Sequence, residues 1–194
     1  MKKRVFILLV ISTLALSCSS QRKVERIDTN SAIDLSGRWN DTDARLVAEE
    51  MVADGLSRAW ITDFAAAKGN KPTVIVGMVY NKTHELINTE TFIREIEREF
   101  LNSGKIRLVQ AGEAREQLRD ERADQQEYAS KETMKKWGQE RGADFMLQGT
   151  VNSEVDTYNN KKVVYYQIDL DMSDLQTNEK VWIGSKKIRK FITN

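Results

Sequence analysis

The sequence predicts an α+β fold, a mixed, mainly antiparallel sheet with helices packed on it. Three observations lead there. Residues Thr89–Ser103 carry Phe92, Ile93, Ile96, Phe100 and Leu101 on one stripe, the spacing of an amphipathic helix. In residues 161–175, Val164, Tyr166, Ile168, Leu170 and Met172 alternate with Tyr165, Gln167, Asp169, Asp171 and Ser173, the period of a half-buried strand. Helices and strands interleave up to about residue 142, and from there three strands follow one another with only turns between them.

The chain opens on a leader. Lys2, Lys3 and Arg4 precede an apolar run from Val5 to Leu16, then small residues and Cys18. This is the layout of a secretory signal peptide over residues 1–17. A membrane-spanning helix needs about 20 apolar residues, and polarity returns at once with Ser19, Ser20 and Gln21. Ala15-Leu16-Ser17-Cys18 resembles a bacterial lipobox, in which the cysteine thiol is acylated, although Leu stands at 14 and 16 rather than at 15. The rival is a plain cut after Ala15-Leu16-Ser17 that leaves a free thiol. Two points favour lipidation of Cys18: it is the single cysteine, so it has no internal disulfide partner, and it lies where acylation would use it. By resemblance to bacterial lipoproteins three acyl chains are expected, palmitate among them, and two or more give stable anchoring. The same resemblance reads Ser19 as an outer-membrane sorting residue, with the domain facing the periplasm.

Residues 18–35 are then a lipidated N-terminus and polar tether, and residues 36–194 the globular domain. Some 16 tether residues reach at most roughly 55 Å when fully extended. Loss of Lys2, Lys3 and Arg4 lowers the formal charge of +1 by three, to −2. No basic excess remains to suggest nucleic acid.

The folded part begins near Asp34. Asn40, Asp41 or Thr42 can cap a helix whose apolar positions run from Leu46 to Trp60, and which continues through Phe64 to about Lys68. Gly55 lies inside it, at a cost of about 1 kcal/mol against alanine. After Pro72, residues 73–80 (TVIVGMVY) read as a strand buried on both faces, followed by a loop holding the single histidine, His84. Helix Thr89–Ser103 stops at Gly104. Residues 105–109 are a short strand, 113–127 a charged and mostly solvated helix, and 131–141 a second short helix presenting Met134 and Trp137. Strands follow at 143–155, 161–175 and 180–192, joined by turns at Asn159-Asn160 and 176–179. Lys186, Lys187, Arg189 and Lys190 suit an exposed, charge-protected edge.

Several of these stretches carry a family resemblance: DLSGRWNDTDARLVAEEM, TVIVGMVYNKT, FIREIEREFLNSGKIRLV and GADFMLQGTV. They resemble the LpoB family, lipoprotein activators of bifunctional penicillin-binding proteins, over nearly all of residues 34–192. GADFMLQGTV is also similar to segments of the TolB N-terminal domain and of curli-secretion lipoproteins, which implies a TolB N-terminal-like fold. The resemblance implies a non-enzymatic regulator that binds a peptidoglycan synthase and stimulates cell-wall synthesis, monomeric and without cofactor. Well-known members carry a long Pro-rich tether, whereas this one is short. A second reading is a structural or secretion-assembly outer-membrane lipoprotein of related fold.

Catalytic chemistry finds little support in the residues. His84 is the only imidazole, and a Ser-His-Asp triad needs a positioned base. Glu85 and Glu90 beside it match no zinc spacing. Asp169 and Asp171 share a strand face, where paired carboxylates are ordinarily solvated. No glycine-rich phosphate loop is present. Trp39, Trp60, Trp137 and Trp182 read as core or turn packing, with Trp39 and Tyr165 the candidate partner-binding aromatics.

Overall fold

The computed structural model describes residues 23–28, 31–135, 138 and 140–193. Five strands form one sheet: β1 (Thr73–Lys82), β2 (Arg107–Val109), β3 (Phe145–Tyr158), β4 (Lys161–Asp174) and β5 (Lys180–Thr193), in the spatial order β2-β1-β3-β4-β5. β1 pairs in parallel with both β2 and β3, and the β3-β4-β5 meander is antiparallel. The sheet is therefore mixed and mainly antiparallel, as the order of elements predicts. Asn159 takes a φ of 52° in the β3–β4 turn, a left-handed conformation that asparagine tolerates. Asp174 organises the β4–β5 turn, its Oδ1 accepting from the Gln176 and Thr177 amides at 2.7 and 2.9 Å.

Alternation along β4 sorts its residues as the sequence requires. Val164, Tyr166, Ile168, Leu170 and Met172 are buried, and they face Val151 and Leu147 on β3 and Trp182 on β5 in the core. Helices cover this face. α1 (Asp41–Gly55) and α2 (Ala59–Lys68) precede β1; α3 (Thr89–Ser103) joins β1 to β2 and buries Phe92, Ile96 and Phe100. α4 (Gly112–Tyr128) joins β2 to β3 and buries no residue. α3 has the expected bounds: the Asn88 side chain accepts from the Glu90 amide at 3.0 Å, and Gly104 closes it in the left-handed conformation.

Four expectations are corrected. The first helix is not continuous to Lys68. It ends at Gly55 and α2 restarts at Ala59, because the tertiary fold brings two tryptophans to Gly55. A Cβ there would lie 3.4 Å from the Trp182 ring, and the Trp60 indole N–H donates to the Gly55 carbonyl at 2.8 Å, satisfying a backbone acceptor at the helix end. Residues 131–141 form no helix among the described residues. Lys131–Thr133 is a turn, and the segment is held to α4 by side chains: Glu140 meets Arg119 at 3.1 Å and Arg122 at 2.9 Å. Trp137 lies outside the described residues. β1 is buried on both faces only over Thr73–Val76; beyond Gly77, Met78 and Tyr80 are exposed. Lys190 belongs to no exposed edge but is buried.

Candidate interaction surface

Lys190 explains how the segment before α1 is held. Counting by twos from Trp182 through Ile188 places Lys190 on the helix-covered face, where its ammonium needs partners. Its Nζ donates to Asp43 Oδ2 at 2.6 Å, to the Arg38 carbonyl at 2.8 Å and to Asp34, whose Oδ2 is 2.9 Å away. Asp43 also accepts from the Asn40 amide at 3.0 Å while Asn40 Oδ1 accepts from the Asp43 amide at 3.1 Å, a reciprocal cap that starts α1. One buried cation thus ties β5, the α1 N-terminus and the chain entering it.

Glu85 supplies a second anchor. Its Oε1 accepts from the Tyr166 hydroxyl at 2.7 Å and its Oε2 from the Trp39 amide at 3.1 Å. Burial, and then the Glu85 carboxylate, push the Tyr166 phenol above its ordinary range. The Trp39 ring packs edge-on against Phe92 and Tyr166, with centroids 6.0 and 5.8 Å apart. Trp39 is therefore half-buried and bound into the core side of the sheet.

Tyr165 points the other way, as its place next to Tyr166 on β4 requires. Its hydroxyl donates to Gln167 Oε1 at 3.0 Å, Gln167 Nε2 donates on to Asp169 at 2.9 Å, and the Arg189 guanidinium stands 5.7 Å from the ring centroid. Cross-strand partners extend this outer face in rows: Tyr80, Thr150, Asp169 and Ser185; Glu154, Tyr165 and Arg189; Asp156, Val163 and Phe191. Phe191 and Ile183 are 64% and 68% exposed upon it. The structure does not bring Trp39 and Tyr165 together; they stand on opposite faces of β4.

The remaining candidates assemble no reaction centre. His84 is exposed in its loop, with its amide donating to Ser153 Oγ at 3.3 Å. Asp169 is occupied by Gln167, and Asp171 lies 3.5 Å from Lys180. Among the described residues no group of three or more potential ligands could hold a metal ion, and no helix is long and apolar enough to cross a membrane. Cys18 lies outside the described residues. Sequence reasoning missed Glu85 and Lys190 as anchors. The parity of β5 signals Lys190, whereas nothing local signals Glu85, whose partners are 46 and 81 residues away.

Comparison with known proteins bears on this arrangement. Residues 43–188 match the family described as peptidoglycan-synthase activator LpoB. Among solved structures, the LpoB C-terminal domain from Escherichia coli is 20% identical with a TM-score of 0.45, and that from Salmonella enterica 16% identical with a TM-score of 0.44. Each alignment covers 75% of this chain and 98% of the other. A PelC dodecamer from Paraburkholderia phytofirmans is 15% identical over 62% of this chain and 71% of that one, with a TM-score of 0.36. No curated protein matches the chain. The family match spans well over half of the sequence, from the capping aspartate of α1 to Ile188 of β5, and the chain belongs to the LpoB family of peptidoglycan-synthase activators, which are regulators and not themselves enzymes.

Proposed function

We propose that this protein is a lipid-anchored periplasmic regulator that binds a bifunctional penicillin-binding protein and activates its polymerisation of glycan and cross-linking of peptides. The carrying observation is the family match over residues 43–188. In this reading Cys18 holds the acyl chains in the outer membrane after removal of residues 1–17, residues 18–35 are the tether, and the domain over 36–194 docks as a monomer. Tyr165 is the docking aromatic on the outer sheet face. Its ring is fixed by Gln167 and Arg189 before any partner arrives, so little rotamer freedom is lost on binding. Trp39, tied to Glu85 on the other face of the sheet, is a second and separate candidate contact.

The test is polymerisation of lipid II by each bifunctional synthase of the same cell, with and without the full chain in detergent. Saturable binding and a several-fold faster rate with at least one synthase are expected. Neither binding nor stimulation with any of them overturns the reading. The short tether favours one alternative, an assembly lipoprotein that works at the outer membrane; a defined ring of copies in light scattering, with no synthase binding, would establish it.

A further inference from the structure

β1 runs for ten residues, yet β2 pairs with it only at Thr73, Val74 and Ile75. From Val76 onward β1 has a strand neighbour on the β3 side alone among the described residues. Exposed sheet edges are ordinarily guarded by charge or proline. The other edge of this sheet is so guarded, by Lys180, Lys186, Lys187 and Arg189 on β5. The free stretch of β1 has a charge only at its far end, Lys82: Val76, Gly77, Met78, Val79, Tyr80 and Asn81 carry none, and Met78 is 60% exposed.

A cleft of about 590 Å³ lies along this unguarded edge. Ile75, Met78, Ile93, Ala114 and Met146 give it an apolar lining. Its charged lining comes from α3 and the start of α4: Glu90, Glu97 and Glu113 against the single Arg94. Arg94 is already engaged, 2.8 Å from Glu97 and 3.9 Å from Glu90. The walls therefore carry an acidic excess over an apolar, methionine-bearing floor, and flexible thioethers adapt to varied apolar side chains.

We propose that this cleft binds an extended, basic peptide segment of another protein, which adds to β1 as a strand in line with β2. Main-chain hydrogen bonds to β1 would supply affinity, and alternate side chains would supply selectivity. Apolar residues of the segment enter between Met78, Ile93 and Met146, and its Lys or Arg residues meet Glu90 and Glu113. The cleft shares the sheet face of Tyr165 through Met146 but is not lined by Tyr165, Gln167 or Arg189, and the proposal does not rest on synthase activation.

A randomised nine-residue peptide library panned on the full chain tests it. The selected peptides are synthesised, and hydrogen exchange is measured with and without them. The expected winners alternate Lys or Arg with aliphatic or aromatic residues and slow exchange at the amides of residues 77–80. Binding should weaken at least tenfold in the Glu90→Lys/Glu113→Lys double variant, which alters exposed side chains, and in Met78→Lys, which guards the edge. Selection of acidic or uncharged peptides, protection elsewhere, unchanged binding by the variants, or no selected peptide would each overturn the proposal. Concentration-dependent self-association that protects residues 77–80 without peptide would also overturn it, in favour of a second copy as occupant.

Discussion

Lys190 shows at the residue scale why a charge within a strand must be read with its parity. Its side chain is 7% exposed and that of Asp43 11%, so neither ion has bulk water as a substitute partner. Replacing Lys190 by alanine strands the Asp43 carboxylate and should cost about 3–5 kcal/mol in urea unfolding, the range for breaking a buried pair. Asp54 is a milder case at the helix corner. The Trp182 indole N–H, at 2.8 Å, and then Arg58 hold its carboxyl below the ordinary carboxylate range. The folded state therefore gains from ionised Asp54 at neutral pH and loses that gain as pH falls through about 4 and below. Asp54→Asn should be less stable than the parent at pH 7, and the difference should shrink as urea titrations move to pH about 2. Gly149 is fixed by close approach: a Cβ there would run into the Asp169 carbonyl and a Leu170 methyl, and relief requires strand separation.

At the scale of elements, the segment entering α1 is held by two anchors, Lys190 from β5 and Glu85 from the loop after β1. Tyr166→Phe removes the hydroxyl that positions Glu85 while keeping the ring against Trp39. The hydrogen bond to a charged acceptor sets the expected loss at about 2 kcal/mol. Faster hydrogen exchange at the Trp39 amide should accompany it; equal exchange in the two proteins would mean that Glu85 holds Trp39 unaided. The phenol's raised pKa has a definite sign. Its neutral form is favoured by folding, so this contribution is present below the unfolded phenol value of about 10 and is lost as pH rises past it. Helix α4 behaves differently. It buries nothing, its ties to Glu140 are exposed ion pairs screened by solvent, and it should be among the first elements to exchange.

Across the whole molecule the two sheet faces serve different ends. One is covered by α1, α2 and α3 and makes the core; the other stays open over β4 and β5, with Tyr165, Arg189 and exposed Phe191 upon it. If the open face is where a synthase docks, Tyr165→Ala combined with Arg189→Glu should reduce synthase stimulation at least tenfold, as loss of an interface hot spot does. Stability should move by much less than for Lys190→Ala, since both side chains lie outside the core. Unaltered stimulation by the double variant would place the docking surface elsewhere.

The fold class, the β4 alternation, the bounds of α3, the positions of the turns and the family resemblance are all legible in the residues alone. Each of these is carried by local periodicity, by residues with restricted backbone preferences, or by contiguous motifs. The corner at Gly55, the absence of a helix among the described residues of 131–141, the burial of Lys190 and the separation of Trp39 from Tyr165 emerge only in three dimensions. These depend on groups brought together across long stretches of chain: Trp182 on Gly55, Asp43 on Lys190, Glu85 on Tyr166. Periodicity assigns a residue to a face; which partner waits on that face is fixed by packing between elements.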